Sequence, residues 1–491
     1  MNDRRDDERK GFTPHDERSP LPALADREGV LDDLSRVISG AWSSFDAPRP
    51  AEPTLEDDRR RRLEGDLPED AGDAEEALSD AARILDASVS PSRPLYLGYI
   101  GSTGLEIGVL ASALLSTYDV NLAVTAGGAD LVEDQALRWL ADFVGFPLAE
   151  GAFTSGGMTS NLTALLAARE RAIPEARTEG VGARRVAIYT SEESHHSIVR
   201  AVEVCGVGSR SVRMIPTDER HRMRPDALRE DISEDISEGI IPVAVVATGG
   251  TTLTGAVDPL SPIADVCGDF GVWLHVDGAY GLPAAATESA SSLFEGLGRA
   301  DSATLDAHKW LGVQKSCSAV LMREPGRLRA AFGHEERYML HEGDVANPVD
   351  LTLEYSRPLR SLKLWLAFRV HGAAKYREWI EKTLGNARKL AEEIRRSPDF
   401  ELLHDPMLST VCFRHTPSDT SGLDDHNLRL ANLMQRDGRV FLAPASVDGK
   451  ACLRVCFVNF RTTPEEVSLV LDVAREIGEG MADGETKPEE K

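Results

Sequence analysis

One lysine in this chain stands where covalent chemistry is possible. Lys309 lies in residues 304–310 (TLDAHKW), just after an alternating apolar and polar run that predicts a short strand. We therefore place Lys309 on a loop beyond the strand end. A lysine amine attacks an aldehyde when partial burial disfavours its ammonium form. A lysine that packs its stem on Trp310 explains this segment equally well.

A carboxylate earlier in the chain favours the chemical interpretation. Asp277 ends residues 272–277 (VWLHVD), which predict a strand buried on both faces of a parallel sheet. Open α/β sheets bind ligands at this end of their strands. The interval of 309 − 277 = 32 residues leaves room for one further strand. A helix cap or turn is the alternative for Asp277 alone. With Lys309, it suits pyridoxal phosphate: the lysine forms a Schiff base and the aspartate keeps the ring nitrogen protonated.

A glycine turn before a helix-forming stretch could hold the phosphate. Residues 153–161 (FTSGGMTSN) lead into residues 162–169 (LTALLAAR). Backbone N–H groups at Gly156 and Gly157 can approach an anion, and the helix dipole adds a favourable field. Simple capping explains most turns of this kind. The phosphate loop of nucleotide hydrolases is excluded, because no Gly-Lys-Ser/Thr follows.

Two adjacent histidines follow another predicted strand, residues 185–189 (RVAIY). One of them could stack on an aromatic cofactor and assist proton transfer near neutral pH. A metal site is not expected, because adjacent strand residues face opposite sides and no further ligand lies at a suitable spacing. We expect a helix-capping or surface role for His196.

Together these segments resemble the group II pyridoxal-phosphate-dependent amino-acid decarboxylases, which include the aromatic-L-amino-acid and glutamate decarboxylases. The resemblance extends from about residue 93 to about residue 476. It implies an α/β protein of PLP-dependent fold type I, the aspartate-aminotransferase-like fold. Its large domain has a mostly parallel sheet, and a smaller C-terminal α/β domain follows.

The resemblance also implies residue roles. Lys309 corresponds to the Schiff-base lysine, Asp277 to the partner of the ring nitrogen, and His195 to the histidine stacked over the ring. Further cofactor contacts are implied at these positions: Ala279, Thr248, Gly156, Gly157, Met158, Asp306 and His308.

A tyrosine decides which reaction the resemblance implies. Tyr338, in residues 337–341 (RYMLH), matches the tyrosine of the family's mobile loop, which protonates the carbanion after carbon dioxide leaves. A phenylalanine there would indicate aldehyde-forming chemistry. An exposed loop aromatic is the alternative interpretation. Residues 357–365 (RPLRSLKLW) resemble the run that follows this loop.

The predicted function is decarboxylation of an L-amino acid to an amine, with an aromatic substrate favoured over glutamate or a diamino acid. The implied substrate pocket comprises Tyr99, Ile100, Gly101 and Ser102. Ile100 and Gly101 stand where aromatic-specific relatives have bulkier residues. An aminotransferase with Arg454 as its carboxylate clamp is an alternative, and a non-catalytic scaffold on this fold is a remote one.

Composition limits the partners and the compartment. The 491 residues carry a net charge of −26, which argues against nucleic acids and anionic membranes as partners. Six scattered cysteines and a charged N-terminus without an apolar secretory core predict a cytoplasmic protein with reduced thiols. The expected partners are an amino-acid substrate and, by the resemblance, a second copy of the chain in a homodimer.

We predict five regions. Residues 1–28 are expected to be disordered, and residues 29–92 to form a helical segment that packs at the dimer interface, as the resemblance implies. Residues 93–370 form the predicted cofactor-binding domain and residues 371–479 the small domain. Residues 480–491 are expected to be a disordered tail.

Within the small domain, the sequence pattern predicts two helices and three strands. The helices are predicted at residues 379–396 and 464–477, and the strands at residues 409–413, 439–443 and 451–457.

Overall fold

The computed structural model describes residues 27–50, 56–101, 103–124, 126–334, 347–418 and 422–482. Chain contacts divide these residues into two units. The first contains residues up to Ala47 and from 56 to Ser90, and the second contains residues 48–50 and those from Pro91 onward. Within these ranges, each helix is either too short or too polar to cross a membrane.

The first unit consists of three helices: α1 (Arg27–Ser44), α2 (Asp57–Leu63) and α3 (Ala74–Asp86). Helix α3 begins after Asp73, whose side chain accepts a hydrogen bond from the Glu76 amide at 2.9 Å. Neither α1 nor α3 contains a buried residue. Large apolar side chains such as Leu31 and Leu85 are therefore exposed within this unit.

The second unit contains two sheets and most of the helices. Its helices are α4 (Glu106–Tyr118), α5 (Gly128–Val144), α6 (Gly157–Ala172), α7 (Ala176–Glu179), α8 (Ser197–Val204), α9 (Pro225–Ser237), α10 (Leu260–Phe270), α11 (Arg327–Phe332), α12 (Ser361–Arg396), α13 (Leu423–Asp437) and α14 (Leu469–Ala482). Its strands are β1 (Glu150–Thr154), β2 (Val186–Ser191), β3 (Val212–Ile215), β4 (Ile241–Thr248), β5 (Trp273–Asp277), β6 (Ser302–Leu305), β7 (Ser318–Met322), β8 (Phe400–Leu402), β9 (Thr410–His415), β10 (Ala443–Val447) and β11 (Lys450–Cys456).

The larger sheet has seven strands in the order β1-β7-β6-β5-β4-β2-β3. Strand β7 is antiparallel to both neighbours, and the remaining pairs are parallel. Every residue of β5 and β6 is buried, as a sheet covered on both faces requires. The predicted α/β fold with a mostly parallel sheet is confirmed.

The smaller sheet is antiparallel, in the order β10-β11-β9-β8. It packs a core that includes Leu390, Phe413 and Leu453. The strand expected at residues 439–443 is wrong, because β10 begins only at Ala443. The carbonyl of Phe441 instead accepts a hydrogen bond from the Leu97 amide at 2.7 Å, and the Phe441 amide donates one to the Leu95 carbonyl at 3.0 Å.

Two helix predictions in the C-terminal part also need correction. The last helix was expected at residues 464–477, but a 3-10 turn occupies Glu465–Ser468 and α14 starts at Leu469. A helix was expected at residues 379–396, whereas α12 already begins at Ser361. Within α12, Gly372 has a φ of 74°, which breaks the helical geometry at one residue.

A buried ion pair joins α5 to the segment before α12. Arg357 donates two hydrogen bonds to Glu133, at 2.9 and 2.6 Å, and both side chains are almost fully buried. Two parallel charge-assisted bonds fix the geometry of such a pair. Removing one partner leaves the other charge buried without compensation.

We expect Glu133→Gln to destabilise the protein by about 3 kcal/mol or more, because the Arg357 charge then stays buried and unpaired. The measurement is the shift in the urea unfolding midpoint. Glu378→Gln is the matched control: it removes an exposed pair with Lys375 and should change stability by less than about 0.5 kcal/mol. Equal midpoints for the two variants would contradict the prediction.

Candidate active site

Three adjacent strands bring polar side chains to one edge of the large sheet. Thr248 ends β4, Asp277 ends β5 and Thr304 lies in β6, and the strand register pairs Asp277 with both of the others. The loop after β6 returns to this edge, because the Asp306 amide donates to the carbonyl of Ala279 at 3.2 Å. Lys309 lies on that loop, as the sequence predicted.

The Lys309 amine contacts a carboxylate from its own loop. Its Nζ lies 3.0 Å from Oδ2 of Asp306, and the Lys309 side chain is 25% exposed. Burial alone would lower the pKa of Lys309, but the negative charges of Asp306 and Asp277 outweigh burial and raise that pKa. The expectation of a disfavoured ammonium form is therefore wrong for the free side chain.

Asp277 is buried and held through both of its oxygens. Oδ2 accepts a hydrogen bond from Nδ2 of Asn161 at 2.9 Å, and Oδ1 accepts one from the Ala279 amide at 3.1 Å. These two hydrogen bonds fix the orientation of the carboxylate at the strand end.

The glycine turn lies at the N-terminus of α6, as expected. A Cβ on Gly157 would lie 2.9 Å from Oδ2 of Asp306 and 3.1 Å from Cβ of Ala279. Glycine is therefore required here by close packing. The N-terminal end of α6 faces the same cavity as the lysine through Gly157 and Met158, where its dipole favours an anion.

The two histidines differ in their surroundings. Nδ1 of His195 accepts a hydrogen bond from the Ser197 amide at 3.1 Å, so its Nε2 carries the hydrogen in the neutral ring. His195 is exposed as a residue, but partial burial of its ring lowers its pKa, although the charge of Asp277 opposes this. His196 precedes α8 with an exposed side chain that makes no capping bond. The surface role fits His196 better than the capping role.

These groups surround one cavity with a free volume of about 470 Å³, including its open mouth. Eight of the predicted site residues line it: Gly157, Met158, His195, Thr248, Asp277, Ala279, Asp306 and Lys309. Sequence reasoning missed five further lining residues: Asn161, Ser197, Gly250, Thr252 and Tyr280. The spacing of Asn161, one helical turn after Gly157, was a signal that could have found it.

Other predicted residues lie elsewhere. Gly156 precedes the lining residues of α6. His308 is not a lining residue: its Nδ1 lies 2.9 Å from the Cys317 carbonyl oxygen, and its Nε2 lies 3.7 Å from Asp306. Ser102 and Tyr338 lie outside the described residues.

The described residues of the predicted substrate segment, residues 99–101, do not line the cavity and are linked to it through Arg454. Tyr99 is 56% exposed, and its ring lies 6.0 Å from that of Phe441. Ile100 and Gly101 are likewise not lining residues. The buried Arg454 links the two regions, because it donates to the Gly98 carbonyl and, at 2.6 Å, to the carbonyl of the lining residue Thr252.

The cavity suits pyridoxal phosphate chemically. Two of its buried polar atoms, Oγ1 of Thr248 and Oδ1 of Asp306, have no hydrogen-bond partner in the described structure. Such atoms are rare unless a ligand or water satisfies them. The N-terminus of α6 suits the phosphate, Asp277 a protonated ring nitrogen, and Lys309 the aldehyde.

Comparison with known proteins agrees with this chemistry. Residues 57–416 match the model of the pyridoxal-dependent decarboxylase conserved domain. An aromatic-L-amino-acid decarboxylase of Bacillus atrophaeus is 33% identical over 447 residues, covering 88% of this chain and 92% of the relative. A cysteine sulfinic acid decarboxylase of Rattus norvegicus is 32% identical over 380 residues, covering 74% and 76%.

Solved structures share the fold. The crystal structure of mouse CSAD superposes with a TM-score of 0.86 at 27% identity, covering 92% of this chain and 98% of that one. Oryza sativa TDC, solved with PLP and tryptamine, gives a TM-score of 0.88 at 24% identity, covering 94% and 99%. With most of its length matched, the chain belongs to the pyridoxal-dependent decarboxylase family and is a pyridoxal-phosphate-dependent amino-acid carboxy-lyase.

Proposed function

We propose that this enzyme decarboxylates an aromatic L-amino acid and that the cavity at the carboxyl ends of β4, β5 and β6 is its active site. The main support for this position of the active site is that Lys309 and Asp277 line one cavity, with the N-terminus of α6 beside them. A transaminase would share this arrangement, but the family comparisons favour a decarboxylase.

Each end of the cofactor has a matching group. Lys309 would bind its aldehyde covalently, Asp277 its ring nitrogen, and Gly156, Gly157 and Met158 its phosphate. We assign Ala279 and His195 to the two ring faces, and Thr248, Asp306 and His308 to supporting contacts, as the family resemblance implies. Bound pyridoxal phosphate supplies an electron-withdrawing ring that stabilises the negative charge left when carbon dioxide departs.

The charge around Lys309 suggests how its amine becomes reactive. Asp277 and Asp306 both stabilise the ammonium form of the free side chain. A cation bound at Asp277 would weaken its attraction for the ammonium group, since nearby opposite charges compensate each other. Asp306, at 3.0 Å, then remains beside the amine. The two carboxylates would therefore have separate roles, one at the ring and one at the lysine.

Proton return to the substrate needs a weak acid at the site. We assign this role to Tyr338, with His195 in support. A phenol is protonated at neutral pH and can give up its proton to a developing carbanion. His195 is neutral at this pH because burial lowers its pKa, so its Nε2–H is available as a hydrogen-bond donor.

An aromatic substrate agrees with the charges of the cavity. Lys309 is the one cation among the described residues that line it, and that amine is needed for the cofactor. A substrate with a side-chain carboxylate would lack a second cation there, and the net charge of −26 would slow its approach. Glutamate or another acidic amino acid is the second candidate, because relatives with acidic substrates are about as similar in sequence. We include Tyr99, Ile100, Gly101 and Ser102 in the substrate pocket.

We also propose a cytoplasmic homodimer. Helix α4 exposes Leu110, Leu114 and Tyr118 at four-residue spacing, which gives one apolar helix face. The N-terminal segment, residues 29–92, would pack at the subunit interface. Residues 93–370 and 371–479 would form the cofactor-binding and small domains. The six cysteines are buried free thiols, in keeping with a reducing compartment.

Substrate preference can be measured directly. We expect carbon dioxide release from an aromatic L-amino acid to exceed that from L-glutamate, L-aspartate and L-cysteine sulfinate by about tenfold or more in kcat/KM. The panel is run with pyridoxal phosphate and without a keto acid, and Lys309→Ala is the inactive control. Preferential release from an acidic amino acid would overturn the aromatic assignment, and a requirement for a keto acid would overturn decarboxylation.

The role of Tyr338 has its own test. We expect Tyr338→Phe to lower amine formation by about 100-fold, because it removes a general acid, while the affinity for pyridoxal phosphate stays the same. Tyr118→Phe is the control: Tyr118 lies on α4 and does not line the cavity, and the change keeps the aromatic ring of the apolar α4 face. A Tyr338→Phe enzyme that forms amine at the normal rate would show that another group returns the proton.

A further inference from the structure

We propose that Asn161 is a positioning residue that holds Asp277 as a fixed, ionised acceptor for the cofactor ring nitrogen. The inference rests on the role proposed above for Asp277. Three more side chains continue the same hydrogen-bond chain into the interior of the sheet: His275, Ser302 and Trp273.

The series of hydrogen-bonded side chains is continuous from the sheet core to the cavity. The Trp273 indole nitrogen lies 2.8 Å from Oγ of Ser302, which lies 2.8 Å from Nδ1 of His275. Nε2 of His275 lies 3.0 Å from Oδ1 of Asn161. Nδ2 of Asn161 then lies 2.9 Å from Oδ2 of Asp277. All of these distances suit ordinary hydrogen bonds.

The chemistry of the end groups fixes the direction of every bond. An indole N–H can only donate, so Ser302 accepts from Trp273 and its own hydrogen is free for Nδ1 of His275. His275 is neutral, because complete burial lowers its pKa to about 3. Its Nε2 faces Oδ1 of Asn161, which can only accept, so the single ring hydrogen lies on Nε2 and is donated to Asn161. A weaker contact from Nε2 to Thr304 Oγ1, at 3.4 Å, does not change this direction.

Asn161 passes this orientation on to the carboxylate. Its amide oxygen is taken by His275, so its NH₂ group must face Asp277. A reversed amide would place its oxygen against the carboxylate and lose both bonds. Every hydrogen in this series of side chains thus points towards Asp277, so the buried carboxylate is supplied with a donor and held in one orientation.

The position of Asn161 adds a link between two parts of the site. It lies on α6 one turn after Gly157, which faces the cavity at the proposed phosphate end. His275 belongs to β5 and Ser302 to β6. All the side chains of this hydrogen-bonded series are buried, so water does not compete for these bonds. Helix α6 would therefore set the phosphate position and the Asp277 orientation together.

The test compares two ligands that differ only at the ring nitrogen. Apo-protein is titrated with pyridoxal phosphate and with its 1-deaza analogue, in which a C–H group replaces that nitrogen, and binding is followed by absorbance. We expect Asn161→Leu to weaken pyridoxal phosphate binding by about tenfold, as for loss of a hydrogen bond to a charged group. Binding of the analogue should change by less than about twofold, because it gains nothing from an ionised Asp277.

Two further variants separate positioning from packing. His275→Phe keeps Asn161 but removes its donor, and it should show the same selective loss to a smaller degree. Asn386→Leu is the matched control, because Asn386 is a buried asparagine on α12 that bonds the Thr462 carbonyl at 3.4 Å. We expect it to leave the ratio of the two affinities unchanged.

Equal losses for both ligands in Asn161→Leu and His275→Phe would overturn the inference, since they would indicate a purely structural role. Unchanged affinities would overturn it as well. If Asn161→Leu does not fold, His275→Phe alone decides between these outcomes. In each case the wild-type protein still binds pyridoxal phosphate, so failure of this inference is distinct from failure of the proposed function.

Discussion

The attraction between one lysine and two carboxylates organises the proposed active site. Lys309 reaches the cavity from the loop after β6, Asp306 holds its amine at 3.0 Å, and Asp277 adds its charge from the end of β5. Bringing these groups together requires parallel strands that end at the same edge. The fully buried strands β5 and β6 supply that edge and exclude the water that would otherwise screen the charges.

Much of this arrangement could be predicted from local sequence. An apolar strand that ends in Asp277, and a second strand that leads to Lys309, place both side chains at the carboxyl edge of a parallel sheet. The turn at Gly157 is similarly local, because glycine before a helix marks a possible anion site. These predictions depend on strand direction and on chain neighbours, which a sequence pattern shows directly.

Other features depend on contacts that are distant in sequence. The strand expected at residues 439–443 is absent because Phe441 bonds residues 95–97 instead. Asn161 was missed because its partners, Asp277 and His275, lie more than 100 positions away. The raised pKa of Lys309 was missed for a different reason: burial was foreseen, but the charges that outweigh it were not. The nearer of these charges, Asp306, lies only three residues before Lys309 in the sequence.

A second lysine provides a contrast within the same chain. Lys363 is buried on α12, where it donates to the carbonyls of Gln314 and Ser316 at 3.0 Å each. Burial lowers the pKa of Lys363, so amine basicity alone would favour it over Lys309 as the nucleophile. We instead assign the reaction to Lys309, because that lysine shares a cavity with Asp277 and the N-terminus of α6.

Reductive trapping tests this assignment most directly. Full-length protein is incubated with pyridoxal phosphate and reduced with sodium borohydride, and the modified peptide is identified by mass spectrometry. We expect one phosphopyridoxyl group per chain, attached to Lys309. Modification of Lys363, or a spread over exposed lysines with Lys309 unmodified, would contradict it.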